Sequence, residues 1–221
     1  MIKGGPRDDA EALKRAEFIL SLRQKGIRDR GVMRAMEMVP RSLFVQESFA
    51  GIAYADQALP IACGQTISQP FIVAYMTEQL GLNDRHKVLE VGMGSGYQTA
   101  VLACLARRVY TIDRYRTLVT EAERRLASLG ITNVTSMIAD GTLGWPAQAP
   151  FDRIIVTAAG PQVPPALLEQ LREGGVLVAP IGPEGGPQKL VRVERTESGF
   201  TERELLAVRF LPLVPGRAAS L

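Results

Sequence analysis

The stretch Lys87-Val88-Leu89-Glu90-Val91-Gly92-Met93-Gly94-Ser95-Gly96-Tyr97 decides the fold of this chain of 221 residues. A short apolar strand ends there in an acid, and three glycines at alternate positions follow at once. The amphipathic segment over 97–107 predicts a helix. Strand, glycine turn and helix in this order form the first unit of a nucleotide-binding α/β sheet. The glycines allow a sharp turn and let a ligand approach without Cβ atoms in the way.

The spacing of the glycines indicates which kind of nucleotide is bound. A dinucleotide fingerprint reads G-x-G-x-x-G and holds a pyrophosphate on helix amides. Here the third glycine comes one residue early, and no Lys-Ser or Lys-Thr pair follows to form a phosphate-binding loop. The form E-x-G-x-G-x-G suits a ligand without phosphates, such as S-adenosylmethionine. A tight turn that binds nothing is the alternative interpretation.

Acidic residues close the next two predicted strands. Asp113 follows the strand 108–112, where an acid can accept hydrogen bonds from both ribose hydroxyls. The strand 134–139 ends in Asp140 and Gly141, where an acid can accept from an adenine amine. Each aspartate alone is better explained as a turn or cap residue. Three strands that end in glycine or acid at one sheet edge nevertheless predict a common site, because ligands bind at that edge.

Composition and charge narrow the function classes. The chain is 46% apolar, which allows one ample core and predicts one domain over 1–221. We expect N-terminal helices and a substrate loop over 1–80 and a nucleotide-binding core over 87–214. The net charge of +3 comes from 26 basic and 23 acidic residues that are scattered along the chain, so no nucleic-acid partner is predicted.

The cysteines and the histidine form no recognisable motif. Cys63 and Cys104 lie far apart, and His86 sits beside a charged turn, so surface or core placement explains them better than a Cys–His nucleophile pair. No cluster of metal-ligand type occurs, and no metal is predicted. The N-terminal sequence lacks an apolar signal segment and no apolar run is long enough for a bilayer, which predicts a cytoplasmic protein without membrane attachment and with free thiols.

The order of predicted elements defines the fold class. Two helices, over 9–25 with Asp8 or Asp9 as cap and from Asp29 to Met38, precede an irregular stretch over 41–69. Pro70 opens a helix to Leu80. Strands are then predicted over 87–91, 108–112, 134–139, 153–157, 175–181, 188–195 and 203–211, with helices over 97–107, 115–129 and 164–172. This predicts an α/β, doubly wound, mainly parallel seven-stranded Rossmann-like sheet with a C-terminal antiparallel hairpin, and ordered structure that ends at Pro212 and Pro215.

The loop over 63–70 leads into the third predicted helix. Ser68 or Gln69 is placed to cap that helix, and Pro70 suits its first turn. A helix N-terminus also attracts anions, so a substrate carboxylate is a candidate ligand there. Ser68 is therefore a cap, a substrate-binding residue, or both.

These residues now indicate a family. The segments DQALPIACGQTISQPFIVAYMTEQL, VLEVGMGSGYQTAVLA, VYTIDR, FDRIIVTAA, LREGGVLVAPIG and VRFLPLV together resemble bacterial protein-L-isoaspartate O-methyltransferases. The resemblance extends from about Asp29 to Val214. Many methyltransferases share the glycine motif, whereas the GQTISQP loop is much more specific. Ala62 is a departure, since relatives commonly carry glycine there.

The resemblance implies an enzyme of protein repair. It would transfer methyl from S-adenosylmethionine to the free α-carboxylate of L-isoaspartyl residues in damaged proteins and peptides, leaving S-adenosylhomocysteine, and the ester would lead through a succinimide back to aspartate. We expect a monomer. The family's active-site serine falls on Ser68, and the cofactor-binding positions fall on Gln65, Thr66, Ile67, Gly92, Gly94, Asp113, Asp140 and Gly141.

The chemistry of the residues agrees with that function. A carboxylate, with a pKa of about 4, is already a nucleophile at neutral pH and needs no general base. The alternatives are a methyltransferase of RNA or a small molecule, and a non-catalytic adenosine-binding module. An RNA enzyme would need a clustered basic face or stacking aromatics, which the sequence lacks.

Overall fold

The computed structural model describes residues 6–218, with side chains from residue 13 onwards. Two helices, α1 (Pro6–Gln24) and α2 (Arg30–Met38), precede a loop that contains the short strands β1 (Leu59–Pro60) and β2 (Thr66–Ile67). The later elements in chain order are α3 (Pro70–Leu80), β3 (Lys87–Val91), α4 (Tyr97–Ala103), β4 (Arg108–Asp113), α5 (Arg116–Ser128), β5 (Val134–Ile138), β6 (Phe151–Val156), α6 (Pro165–Glu169), β7 (Leu171–Ile181), β8 (Gln188–Thr196) and β9 (Gly199–Val208).

The seven long strands form one sheet in the order β5-β4-β3-β6-β7-β8-β9. The pairs from β5 to β7 are parallel, and β7, β8 and β9 pair antiparallel. After β5 the chain crosses to the other side of β3 and continues with β6, so the strand order reverses between β3 and β6. Such a reversal opens a crevice at the carboxyl ends of the strands, which is where α/β sheets bind ligands. The predicted fold class is confirmed.

Strand β3 carries buried apolar side chains on both of its faces because both faces of the sheet are covered. Val88 packs in a cluster with Met76 of α3 and Leu102 of α4 on one face. Leu89, the next residue, packs with Leu167 of α6 on the other face. All five of these side chains are buried, and they fix β3 at the centre of the molecule.

Several helix boundaries in the structure differ from the predicted ones. Helix α1 begins at Pro6, so Asp8 and Asp9 lie inside its first turn and do not precede it as caps. Asp29 does cap α2, because its side chain accepts a hydrogen bond from the Val32 amide at 2.9 Å. Helix α4 ends at Ala103 rather than at residue 107, and α5 and α6 begin one residue later than predicted.

The strands differ from the predicted limits at their ends. Strand β7 starts at Leu171 and not at residue 175, because a register irregularity against β6 accommodates the glycine pair 174–175 within the strand. Strand β9 starts at Gly199, directly after a tight turn, and ends at Val208. The short α6 therefore ends where an early β7 begins.

Two segments predicted to be irregular are organised. The stretch over 41–69 contains three 3₁₀ turns (Arg41–Phe44, Glu47–Ile52 and Ala62–Gly64) and the antiparallel pair of β1 and β2. Order also continues beyond the two C-terminal prolines. Pro212 bridges to Ala159, and the Leu213 amide donates to the Ala159 carbonyl at 2.7 Å. Residues 209–218, here called the C-terminal strap, therefore cross the carboxyl edge of the sheet.

Within the described residues, no helix has the length and apolar character that crossing a bilayer requires.

Candidate active site

A cavity of about 710 Å³ lies at the carboxyl ends of β3, β4 and β6. Its walls come from the glycine turn after β3, from the loop before α3, and from the C-terminal strap. Of the residues predicted for the site, eight line it: Gln65, Thr66, Ile67, Ser68, Gly92, Gly94, Asp113 and Gly141. Three segments that are distant in sequence thus meet at the strand-order reversal, where α/β sheets bind ligands.

The glycine turn needs glycine at its first position for two reasons. Gly92 has φ +97°, a left-handed conformation that side chains disfavour. A Cβ there would also lie 2.2 Å from Thr157 Oγ1, which donates to the Gly92 carbonyl at 2.7 Å. Thr157 follows β6, so this contact ties the turn to the neighbouring strand across the crevice.

Asp113 connects the end of β4 to the same turn. Its Oδ2 accepts the Gly94 amide at 2.8 Å, and its Oδ1 accepts the Tyr115 amide at 3.0 Å. Burial raises the pKa of the carboxyl group, and the backbone amides of Tyr115, Gly94 and Arg114 act in the opposite direction. A carboxylate offers about four lone-pair positions, so two remain for a ligand.

Asp140 and Gly141 differ in what they present to the cavity. The Asp140 side chain accepts from the Thr142 amide and hydroxyl through Oδ1, and from the Gly216 amide of the strap at 2.7 Å through Oδ2. Asp140 is not among the lining residues, whereas Gly141 is. A Cβ on Gly141 would meet Val91 Cγ1 at 2.4 Å, so only glycine fits against β3 there.

The N-terminus of α3 is capped differently from the prediction. Gln69 is the N-cap residue and makes no side-chain capping bond. Instead, Asp56 Oδ1 accepts the Phe71 amide at 3.0 Å, and Gln69 Nε2 donates to Asp56 Oδ2 at 2.8 Å. The predicted N-cap position is therefore confirmed for Gln69 and not for Ser68, but the capping bond comes from the Asp56 carboxylate of the preceding loop rather than from either side chain.

The Ser68 hydroxyl is consequently not used to cap α3. It is half-buried and lines the cavity. Within the described part of the chain, no hydrogen bond of its hydroxyl is recorded. Because the anion site at the start of α3 already holds Asp56, a substrate carboxylate would have to use the hydroxyl rather than the Phe71 amide.

The remaining chemically reactive residues lie outside the cavity. His86 is at the amino edge of the sheet, where Asn83 donates its amide to Nδ1 at 3.2 Å. Cys104 is exposed at the end of α4, and Cys63 is partly buried in the loop with φ +57°. Neither cysteine is in a disulfide. No group of three or more His, Cys, Asp or Glu side chains within the described residues could hold a metal ion.

Glu90, the acid of the glycine motif, points into the protein. Its Oε2 accepts the hydroxyls of Thr99 at 2.5 Å and Thr111 at 2.6 Å. Burial raises the pKa of this carboxyl group to about 8, although the two hydroxyl donors oppose the rise. Glu90 therefore joins α4 and β4 to β3 and does not line the cavity.

Sequence reasoning missed part of the cavity wall. Arg114, Tyr115 and Thr157 line it, and each follows a strand whose carboxyl end was already predicted to face the ligand. The rule that ligands bind at that edge could have identified them. The strap residues 209–214 also line the cavity. They lie in the segment VRFLPLV of the family resemblance, but nothing local places them at this edge, because only the fold returns them to it.

Comparison with protein families gives one match that spans nearly the whole chain. A family model described as protein-L-isoaspartate(D-aspartate) O-methyltransferase matches residues 13–218. The chain is 60% identical over 213 residues to a protein-L-isoaspartate O-methyltransferase of Parvibaculum lavamentivorans, with 96% of each chain covered. It is 59% identical to the corresponding protein of Xanthobacter autotrophicus, with 96% of this chain and 97% of that one covered.

Solved structures give the same result. A protein-L-isoaspartate O-methyltransferase superposes with a TM-score of 0.82 at 29% identity, covering 90% of this chain and 65% of that one. A Plasmodium falciparum structure described as a protein-L-isoaspartate O-methyltransferase, in complex with S-adenosyl-L-homocysteine, superposes with a TM-score of 0.79 at 26% identity. That match covers 90% of this chain and 97% of the other.

Proposed function

The chain belongs to the protein-L-isoaspartate(D-aspartate) O-methyltransferase family and is an S-adenosylmethionine-dependent methyltransferase of protein repair. We propose that one half of its cavity binds the methyl donor and the other half binds the substrate. The reaction methylates the free α-carboxylate of an L-isoaspartyl residue, and the ester leads through a succinimide back to aspartate. When bound, S-adenosylmethionine supplies a methyl group that is activated by its sulfonium. The chain's own residues bind, orient and exclude water.

The donor half of the cavity is assigned to the glycine turn and the ends of β4 and β5. The lone pairs left on Asp113 suit two ribose hydroxyls, and Gly92 and Gly94 leave room for a ligand at the turn. Gly141 keeps the wall flat where an adenine would lie. Asp140 contributes to this half through the strap that it holds at Gly216.

The acceptor half is assigned to the loop before α3. Gln65, Thr66 and Ile67 line the boundary between the donor and the substrate, and Ser68 offers its hydroxyl to the substrate carboxylate. The carboxylate is ionised at neutral pH, so no residue has to remove a proton. The task is alignment in a site that excludes water, and the strap supplies a partly apolar wall for it.

The observation that carries this assignment is the Ser68 hydroxyl. It lines the same cavity as Asp113 and the glycine turn, and no described residue engages it. A free hydroxyl beside a donor site is suited to hold an incoming carboxylate through a charge-assisted hydrogen bond.

We also propose the oligomeric state, the substrate class, the cellular location and the domain limits. We infer a monomer that acts on proteins and peptides in the cytoplasm, without nucleic acid or membrane attachment. The near balance of 26 basic and 23 acidic residues supports a protein rather than a nucleic-acid substrate. We further infer one domain over 1–221, with helices and substrate loop over 1–80 and the core over 87–214, because α3 packs directly against the central sheet.

A transfer assay with two isomeric peptides tests the function. With radiolabelled S-adenosylmethionine, an L-isoaspartyl peptide should be methylated and its normal aspartyl isomer rejected, since the site orients the backbone around the carboxylate. Comparable kcat/KM for the two isomers would contradict the proposal, and transfer to RNA alone would favour the alternative methyltransferase class.

The Ser68→Ala variant tests the assigned role of the hydroxyl. We expect kcat/KM to fall about 10-fold or more, since roughly 1.4 kcal/mol of lost positioning suffices. Calorimetric affinity for S-adenosylmethionine should stay within a few-fold, and the Tm should hardly move because Ser68 is not the helix cap. Ser128→Ala, which removes an exposed hydroxyl on α5, is the matched control. A lowered Tm with intact catalysis would remove Ser68 from the reaction.

A further inference from the structure

Arg41 is a fully buried cation behind the substrate loop. It lies in the 3₁₀ turn Arg41–Phe44 and is 0% exposed. No ion pair of its guanidinium is recorded within the described residues. Burial lowers its pKa from the ordinary value, and the neighbouring Tyr97 hydroxyl opposes that shift. Burying a charge without a carboxylate partner is costly, so the position has to be explained by what the guanidinium holds.

The guanidinium holds two backbone carbonyls and one ring. Its Nε donates to the Ala53 carbonyl at 2.8 Å, and its Nη2 donates to the Ser68 carbonyl at 2.8 Å. Its central carbon lies 4.7 Å from the centre of the Tyr97 ring. Tyr97 lines the cavity and is the first residue of α4, directly after the glycine turn. One rigid planar group therefore fixes Ser68 relative to the donor half of the site.

Asp56 holds the next residues from the other side. It accepts the Phe71 amide and the Gln69 side-chain amide, and its carboxylate contacts Lys25. The backbone from Ser68 to Phe71 is thus restrained at its carbonyl by Arg41 and at its amide by Asp56. The Ser68 hydroxyl is left free at the cavity, in an orientation that its restrained backbone determines.

We propose that Arg41 is a positioning residue for methyl transfer, which acts through Ser68 by holding its carbonyl at a fixed place relative to Tyr97 and the glycine turn. This inference rests on the proposed role of Ser68. Arg41 does not line the cavity and so cannot itself touch the substrate. Its effect should therefore depend on whether a hydroxyl is present at residue 68.

The partial satisfaction of the guanidinium supports a geometric role. Its Nη1 is buried and has no hydrogen-bond partner within the described residues. A buried donor without a partner calls for an explanation, and the explanation that the geometry offers is that the guanidinium holds the Ala53 and Ser68 carbonyls in place. A lysine would keep the charge, but it has one ammonium on a flexible stem and no planar fork to hold two carbonyls and stack on a ring.

A double-mutant cycle tests the proposal in the full-length enzyme. We expect Arg41→Lys to lower kcat at saturating S-adenosylmethionine about 10-fold, because misplacing a reacting group is costly. The calorimetric Kd for the donor and the KM for the peptide should stay within about threefold, as a loss confined to the transition state requires. In the Ser68→Ala background, the same substitution should change kcat less than about twofold, since residues that act as a unit are not additive.

Arg153→Lys is the matched control at the other end of the same helix. Arg153 donates to the carbonyls of Leu80 and Gly81, where α3 ends, and it lies outside the cavity. This variant should lower the Tm and leave kcat unchanged. If it lowers kcat as much as Arg41→Lys does, general loosening of α3 explains both effects and the proposal is overturned.

The remaining outcomes are distinct. Equal losses of kcat from Arg41→Lys in the wild-type and Ser68→Ala backgrounds would overturn action through Ser68. If Ser68→Ala alone keeps its kcat/KM, the proposed role of Ser68 fails first, whatever Arg41 does. If Arg41→Lys melts below the assay temperature, Arg41→Gln is carried through the same cycle. Failure of both variants to fold with S-adenosylmethionine present would make Arg41 a residue of the fold alone and overturn the proposal.

Discussion

Glu90 places a carboxyl group in the centre of the sheet. Both of its hydroxyl partners donate to Oε2, while Oε1 is buried without a partner among the described residues. This arrangement fits a protonated acid, because an ionised carboxylate would leave one oxygen charged and unpaired. The acid of the glycine motif is thus a buried connector whose raised pKa, about 8, favours the protonated form.

Protonation of Glu90 should make stability depend on pH. Its pKa in the folded protein, about 8, lies above the ordinary value of 4.5. The stability it contributes is therefore fully present below pH 4.5 and is lost as the pH rises through 8, with a slope of at most about 1.4 kcal/mol per pH unit. Urea denaturation of Glu90→Gln at several pH values should lack this slope. Parallel curves for wild type and variant would contradict the assignment, and Glu202→Gln on the exposed face of β9 is the control.

Asp113 should show both a binding and a structural effect. In Asp113→Asn the charge is lost, and one carboxylate acceptor becomes an amide donor. We expect affinity for S-adenosylmethionine to fall about 10- to 100-fold, the equivalent of roughly 1.5–3 kcal/mol in charge-assisted hydrogen bonds. The Tm should fall as well, because the carboxylate also holds the Gly94 and Tyr115 amides. Calorimetry measures the affinity, and Asp84→Asn in the exposed loop before β3 is the control. An unchanged Kd would remove Asp113 from the donor site.

At the scale of elements, α3 depends on a loop that precedes it. Burial by itself would raise the pKa of Asp56, but hydrogen bonds from Lys25, the Phe71 amide and Gln69 outweigh it and hold the pKa below its ordinary value of 3.8. A lowered pKa means that Asp56 stabilises the fold above that value and that this contribution disappears as the pH falls through the lowered pKa.

The Asp56→Ala variant should lose the partner of the α3 N-terminus. We expect a loss of about 0.5–2 kcal/mol in the free energy of unfolding near neutral pH, the usual range for removing a cap. Asp56→Asn keeps an oxygen for the Phe71 amide and should recover part of the loss. Denaturant titrations at pH 7 and pH 3 measure both, and the difference from wild type should shrink at pH 3. A difference that is independent of pH would show that the charge contributes nothing.

Elements defined by local chemistry were predictable, and those defined by distant contacts were not. The strand β3, the glycine turn and Asp113 follow from spacing that backbone sterics require. Nothing near Ser68 in sequence shows that Asp56 takes the cap or that Arg41 takes the carbonyl, since both contacts join residues that only the folded loop brings together. The early start of β7 was missed for a similar reason, because a glycine pair usually marks a turn and here lies within a strand.

At the scale of the whole molecule, the last described residues hold the C-terminal strap in place at the cavity. The Gly216 amide donates to Asp140, and the Ala218 amide donates to the Arg114 carbonyl at 3.1 Å. These two bonds tie the strap to the residues that follow β5 and β4. The cavity is therefore lined both by the loop that carries Ser68 and by the strap residues 209–214.

Removing residues 216–221 should loosen the donor site without unfolding the protein. The sheet stays complete, so the Tm should change little, while loss of both strap bonds should raise the Kd for S-adenosylmethionine several-fold, mainly through faster dissociation. Stopped-flow dissociation and thermal melts measure the two effects. Deleting 219–221 alone keeps both bonds and is the matched control. An unchanged dissociation rate after the longer deletion would show that the strap does not retain the donor.

The Cys104 thiol lies where it can be used to attach the protein to a support. Helix α4 runs from the cavity to the amino edge of the sheet, so this exposed thiol lies at the end opposite the reaction, near the turn where the Arg107 amide meets the His86 carbonyl. The second thiol, Cys63, occupies a left-handed conformation that glycine adopts more readily. Cys63→Gly would leave one cysteine in the sequence. A maleimide resin coupled through it would then hold the enzyme in a single orientation, with the cavity facing the solution and open to large, damaged protein chains.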